Sequence, residues 1–70
     1  MKVNESIPLD FGDSKSYTVL VLDGRVPDTR FTSVLCGAET IKTVFMSGGR
    51  LDAVAVEGIH DFTGREVTFA

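Results

Sequence analysis

The side chains best suited to covalent chemistry in this sequence are its only cysteine, Cys36, and its only histidine, His60. A cysteine becomes a nucleophile when a histidine or a cation stabilises its thiolate, so one hypothesis is a thiol enzyme that uses Cys36 and His60. The more ordinary interpretation makes Cys36 a buried structural thiol, because free cysteine is among the most buried residue types. A lone cysteine forms no intrachain disulfide, and one cysteine with one histidine cannot complete a structural zinc site. We therefore predict no metal, no cofactor and no enzymatic activity.

Three arginines each follow a turn that contains glycine. They are Arg25, Arg50 and Arg65. If these turns lie at one end of a sheet, the guanidinium groups cluster there and bind phosphate, carboxylate or the acidic edge of a protein. The alternative is that an arginine at the start of a strand keeps turns soluble and strand edges from aggregating. The binding hypothesis predicts a small anionic ligand at these arginines.

The segment Asp28-Thr29-Arg30-Phe31, followed at a distance by Gly58, resembles the trp RNA-binding attenuation protein, a family whose small β subunits form rings. The resemblance implies a ligand-binding role for Thr29, which matches one of the family's ligand-binding threonines. It does not imply RNA binding, since other residue types stand where that family has RNA-contacting basic residues. These are Cys36, Ala55 and Glu57. The rhythm of strand, turn and strand around Gly49 is similar to that of Sm-like barrels, which also gain stability by forming rings.

The length and charge of the chain limit what it can do. Seventy residues make one domain at most, predicted over residues 1–70, and a domain of this size is marginally stable alone. Without a disulfide or a zinc ion, association with further copies is the remaining stabilising device. A net charge of −3 with scattered Lys and Arg argues against nucleic-acid binding and against an anionic membrane surface. No apolar run is long enough to span a membrane, and no signal peptide is visible, so we expect a cytoplasmic protein.

The elements that position these residues are predicted to be β strands. Residues 3–11 alternate between apolar and polar, and Pro8 places that strand at a sheet edge. Residues 17–22 and 51–56 are apolar on both faces, as in strands that are covered on both sides. Residues 43–56 predict a hairpin around Ser47-Gly48-Gly49, and Asp23-Gly24 predicts another. Further strands are expected over residues 29–35 and 65–70.

Residues 36–46 leave two interpretations open. Thr40, Ile41, Thr43 and Val44 are β-branched and lose side-chain freedom in a helix, which favours a strand. An apolar stripe at helical spacing, with Gly48 as a C-cap, is the alternative. The predicted fold is therefore all-β, a small antiparallel sandwich or open barrel of five or six short strands, with one short helix as the alternative.

The predicted function follows from the middle strands, whose two apolar faces a chain this short can hardly cover with its own residues. Either the remaining strands and a short helix cover the second face, or another subunit does. We predict a non-enzymatic homo-oligomeric binding module that associates through a sheet face or an edge strand. Its further partner would be a protein, as for small acidic inhibitors carried by phages, or a small anionic ligand. The alternatives are a ring-forming, nucleic-acid-binding small β-barrel and the thiol enzyme described above.

Overall fold

The strand pattern of the sequence is realised in a computed structural model that describes residues 1–44 and 51–70. These residues form an all-β structure with one antiparallel sheet of six strands, in the order β1-β2-β5-β4-β3-β6. The strands are β1 (Val3–Asp10), β2 (Ser16–Leu22), β3 (Ser33–Cys36), β4 (Glu39–Val44), β5 (Ala53–Glu57) and β6 (Thr68–Phe69). The predicted fold class is confirmed, and so is the edge position of the strand that contains Pro8.

The two ends of the sheet approach each other through the beginning of β1. An isolated bridge pairs Lys2 with Glu66, the Val3 amide donates to the Arg65 carbonyl at 3.0 Å, and the Gly64 amide donates to the Val3 carbonyl at 2.8 Å. The segment before β6 thus continues the ladder onto residues 1–3. The sheet therefore curls into a small, partly open barrel with one enclosed face.

The enclosed face carries the hydrophobic core. In β2 the inward positions are Leu20 and Leu22, which alternate with outward side chains as a strand requires. The neighbouring strand β5 supplies Val54, directly opposite Leu20. Among the described residues, the buried hydrophobic cluster is Val3, Leu20, Leu22, Val34, Cys36, Val54, Val56, Phe62 and Val67. The core thus draws on β1, β2, β3 and β5 and on two residues outside the strands, Phe62 and Val67.

Residues 36–44 form a hairpin and not a helix, so the helical alternative is wrong over the described part of 36–46. The strands β3 and β4 pair from Ser33–Lys42 to Cys36–Glu39, which leaves Gly37-Ala38 as a two-residue turn. Gly37 has a φ of +60°, and a Cβ there would lie 3.1 Å from a guanidinium nitrogen of Arg65. Both facts favour glycine at this position.

A β-bulge at Asn4 changes which face of β1 is apolar. Val3 pairs with Leu22, but Glu5 pairs with Val21, so β1 contains one more residue than β2 between these pairs. Simple alternation predicts that Val3, Ile7, Leu9 and Phe11 share a face. The bulge instead leaves Val3 in the core and turns the later apolar side chains outward.

Two predicted connections differ from the structure. Asp23-Gly24 does not form a hairpin, because β2 ends at Leu22 and pairs with β1 and β5, while the next strand in the chain pairs with β4 and β6. The strand expected over 29–35 begins only at Ser33. The hairpin expected over 43–56 is supported by the antiparallel pairs Thr43–Val56 and Val44–Ala55, although its turn and Arg50 lie outside the described residues.

Candidate functional site

The outward side of the sheet presents a second apolar layer across four neighbouring strands. The register places Ile7 beside Val19, Val19 beside Ala55, and Ala55 beside Val44. Side chains on directly paired residues point to the same face, so these four form one apolar row. The adjacent rows add further apolar side chains on β1, β2 and β5. We call this set the outer face: Ile7, Leu9, Tyr17, Val19, Val21, Val44, Ala53 and Ala55.

The outer face is separate from the core. None of its members belongs to the core cluster or to the half-buried side chains that pack against that cluster. Ala53 and Ala55 are nonetheless 5% and 6% exposed, because a methyl group is sheltered between the bulkier side chains of neighbouring strands. Leu9 remains 36% exposed and Phe11, whose ring lies 5.9 Å from that of Tyr17, remains 66% exposed. The apolar layer therefore faces outward.

Charged side chains border the outer face at both ends. Glu5 lies beside Val21 in the first row. At the opposite end the register that pairs Thr43 with Val56 places Lys42 across from Glu57. With strands about 4.8 Å apart and rows about 6.8 Å apart, the eight members of the outer face cover roughly 260 Å². A contiguous apolar patch that is rimmed by polar residues is a candidate interaction site.

The structure describes no contact among the arginines that are predicted to bind an anion. Arg25 and Thr29 are exposed in the connection between β2 and β3. The guanidinium carbon of Arg65 lies 5.6 Å from the centre of the Phe62 ring, in a cation–π arrangement. Arg50 lies outside the described residues. Within those residues, no hydrogen bond or ion pair joins Arg25, Thr29 and Arg65 to one another.

The two residues of the thiol hypothesis are engaged separately. Cys36 is fully buried in the core, which confirms the structural interpretation of its thiol. The His60 ring stacks on Phe62 at 5.1 Å, and its Nε2 lies 2.8 Å from the carbonyl oxygen of Glu57. Asp61 does not orient this imidazole, since its carboxylate accepts from the Thr63 amide at 3.3 Å. In the described part of the chain, the contacts of His60 do not include Cys36.

A shallow concavity of about 460 Å³ lies beside this histidine, lined by Ser6, Pro8, Ile59, His60, Asp61 and Thr63. Its serine hydroxyl accepts hydrogen bonds from the Phe62 amide and from the Thr63 hydroxyl, each at 3.1 Å. The described residues contain no group of three metal-ligating side chains. Ser6 thus holds the 58–63 segment on the sheet and is not aligned with a general base.

Thr18 anchors the same segment from inside the barrel. It is the buried polar side chain of the core, with 0% exposure. Its hydroxyl donates to the Gly58 carbonyl at 2.7 Å and accepts from the His60 amide at 3.0 Å. Gly58 has a φ of +82°, so the chain turns sharply there and brings both backbone groups to one hydroxyl.

Replacement of Thr18 by valine is expected to lower the free energy of unfolding by about 1–3 kcal/mol, because the shape is kept while two hydrogen bonds to partly buried backbone groups are lost. Urea denaturation followed by circular dichroism measures this loss. Thr18→Ser is the matched control, since it keeps the hydroxyl. Equal stability of the valine variant and the wild type would show that Thr18 does not anchor the segment.

Comparison with known proteins does not assign this chain to a family: no family model, no curated protein and no solved structure matches it significantly. Among the described residues, no helix is long and apolar enough to cross a membrane. The outer face is therefore the feature on which a functional argument has to be built.

Proposed function

We propose that this protein is a non-enzymatic interaction module that works as a homo-oligomer, and that the outer face is its surface of association. The observation that carries the proposal is the apolar row Ile7–Val19–Ala55–Val44 across four strands, which no residue of the core cluster covers. An apolar layer on the outside of so short a chain costs free energy in water unless another surface covers it.

The bulge at Asn4 strengthens this argument. If side chains alternated along β1 without the extra residue, the later apolar residues of this strand would lie on the same side as Val3, in the core. With the bulge, Ile7 and Leu9 extend the outer face, while Ser6 takes an inward position opposite Leu20. Bulges commonly re-aim side chains next to functional sites, and this one enlarges the apolar surface outside the barrel.

The size of the outer face sets the expected affinity. Two copies would together bury roughly 500 Å² of this apolar surface, less than the ~1,200–2,000 Å² of a standard stable interface. At about 25 cal/mol per Å² this is at most about 13 kcal/mol, opposed by about 4–15 kcal/mol for lost rotational and translational freedom. The association we propose is therefore weak and readily reversible.

The remaining exposed groups suit a further partner. Arg25 and Arg65 are exposed and lie outside the outer face, so self-association leaves them accessible. They are the residues that would contact a small anionic ligand or the acidic edge of another protein. The same proposal places the protein in the reducing cytoplasm, where an unpaired cysteine such as Cys36 is ordinary.

The proposal is tested by the mass of the protein in solution. Sedimentation equilibrium from low micromolar to near-millimolar concentration should give an average mass that rises above the 7.6 kDa of one chain. Because the contact is apolar, added sulfate should strengthen the association, whereas contacts between charges would weaken with salt. A mass of one chain at every concentration would overturn the proposal.

A further inference from the structure

The outer face is not flat, because its two central strands differ in the size of their side chains. On β2 the outward residues Val19 and Val21 form a ridge. On β5 the paired residues Ala55 and Ala53 form a trough, one strand spacing away. The ridge and the trough lie side by side and run parallel to the strands, so the surface has a step along its midline.

We infer that the occupant of the outer face is a second copy of this chain, related to the first by a two-fold axis that runs parallel to the strands between β2 and β5. This inference rests on the proposed function and specifies its geometry. Such an axis exchanges ridge and trough: Val19 lies over the partner's Ala55 and Val21 over the partner's Ala53. Large side chains then face small ones in both directions, which is how packed sheet layers interdigitate.

The flanking strands agree with the same axis. It brings β1 over the partner's β4, so that Ile7 packs on the partner's Val44. In the next row Leu9 lies over the aliphatic stem of the partner's Lys42, a contact that leaves the ammonium group at the rim. Tyr17 lies over the partner's Glu57, where its hydroxyl can donate to the carboxylate. The ammonium group of Lys42 and the carboxylate of Glu57 thus sit at the edge of the contact, away from its apolar centre.

A two-fold axis perpendicular to the strands is the competing arrangement. It stacks β2 on β2 and β5 on β5, so Val19 meets the partner's Val19 while Ala55 meets the partner's Ala55. The two ridges would hold the sheets apart and leave a void above the paired troughs. Voids and overpacking each cost free energy in a close-packed interface, so the shape of the outer face favours the parallel axis.

Charge exchange across the interface tests the inference on the full chain. V19E places a carboxylate on the ridge and A55K an ammonium in the trough. Each variant alone buries two unpaired charges per dimer, and we expect its self-association to weaken by about 100-fold or more. In an equal mixture the parallel axis sets the new carboxylate against the new ammonium, so a mixed dimer should form with an affinity within about tenfold of the wild type. Under the perpendicular axis the two charges lie on strands offset laterally by about 4.8 Å, so the recovery should be weaker.

The readouts are sedimentation equilibrium of each variant and of the mixture, with circular dichroism to verify folding. Should either variant fail to fold, the pair V21E and A53K tests the adjacent row in the same way. If the wild type associates and each variant dissociates but the mixture does not recover, the parallel axis is wrong and the proposed function stands. If the wild type associates and neither variant dissociates, the outer face is not the interface and the inference falls. If the wild type is a monomer throughout, both the inference and the proposed function fall.

Discussion

Replacing Phe62 by alanine is expected to remove most of the stability of the fold. Phe62 is only 3% exposed and belongs to the core cluster, although it lies outside the strands. Its ring also supports His60 on one side and Arg65 at 5.6 Å. Truncation of a buried phenylalanine to alanine costs about 3–5 kcal/mol, and a domain of this length has a total stability of roughly 4–10 kcal/mol. Urea denaturation followed by circular dichroism should show a large fall in the transition midpoint.

Two further variants separate the role of the ring from that of its neighbours. Phe62→Leu keeps an apolar side chain in the core and should cost about 1–2 kcal/mol. His60→Ala removes the stacked ring and the contact with Glu57 but leaves the core intact, so its cost should be below 1 kcal/mol. A Phe62→Ala variant no less stable than His60→Ala would mean that the 58–63 segment does not close the barrel.

Phe62 also shows what periodicity cannot reveal. Residues 59–64 lie between the strands predicted over 51–56 and 65–70, and the structure likewise has no strand there. A residue in a segment without strand or helix period carries no sign of which side chain faces the core. Phe62 is buried because Thr18 and Ser6 hold the backbone around it, through the bonds to Gly58, His60 and Phe62. These are contacts between distant parts of the chain, which no local pattern records.

The two apolar faces of the middle strands could be predicted, because that prediction does not depend on the register of the strands. Residues on both faces of β2 and β5 are apolar, so a shift by one position would have left the same conclusion. The first strand is the opposite case: its alternation was recognised, but a single extra residue at Asn4 reverses which side faces the core. A bulge is set by the partner strand and by the closure of residues 1–3 onto 64–66, both remote in sequence.

Turn dipeptides predict strand pairing poorly, because pairing also depends on residues that are remote in sequence. Asp23-Gly24 is a good hairpin dipeptide, yet the strand that continues the sheet beside β2 is β5, which comes much later in the chain. A turn dipeptide indicates that the chain turns at that point, but it does not determine which strands then pair. The predicted arginine cluster requires these turns to share one end of a sheet, which the turn dipeptides alone do not determine.

A double replacement on the ridge, V19T/V21T, is expected to dissociate the proposed assembly without unfolding the chain. Threonine keeps the β-branched shape and the preference for strands. In the isolated protomer the new hydroxyls lie on the half-buried outer face and stay hydrated. In the dimer four hydroxyls are stripped of water at about 1 kcal/mol each, so the dissociation constant should rise by about a thousandfold. Sedimentation equilibrium measures that change, and urea denaturation of the dilute protein measures stability.

The matched control is Val54→Thr, the same chemical change on the inward face of the neighbouring strand. Val54 lies opposite Leu20 in the core, so an unpaired hydroxyl there should cost the fold about 1–3 kcal/mol. We therefore expect V19T/V21T to lose self-association but keep its stability, and Val54→Thr to lose stability. If V19T/V21T lowers stability as much as the control, the outer face is covered within the protomer. If it leaves the dissociation constant unchanged, Val19 and Val21 lie outside the contact. Either result would contradict the assignment of ridge and trough to a second copy.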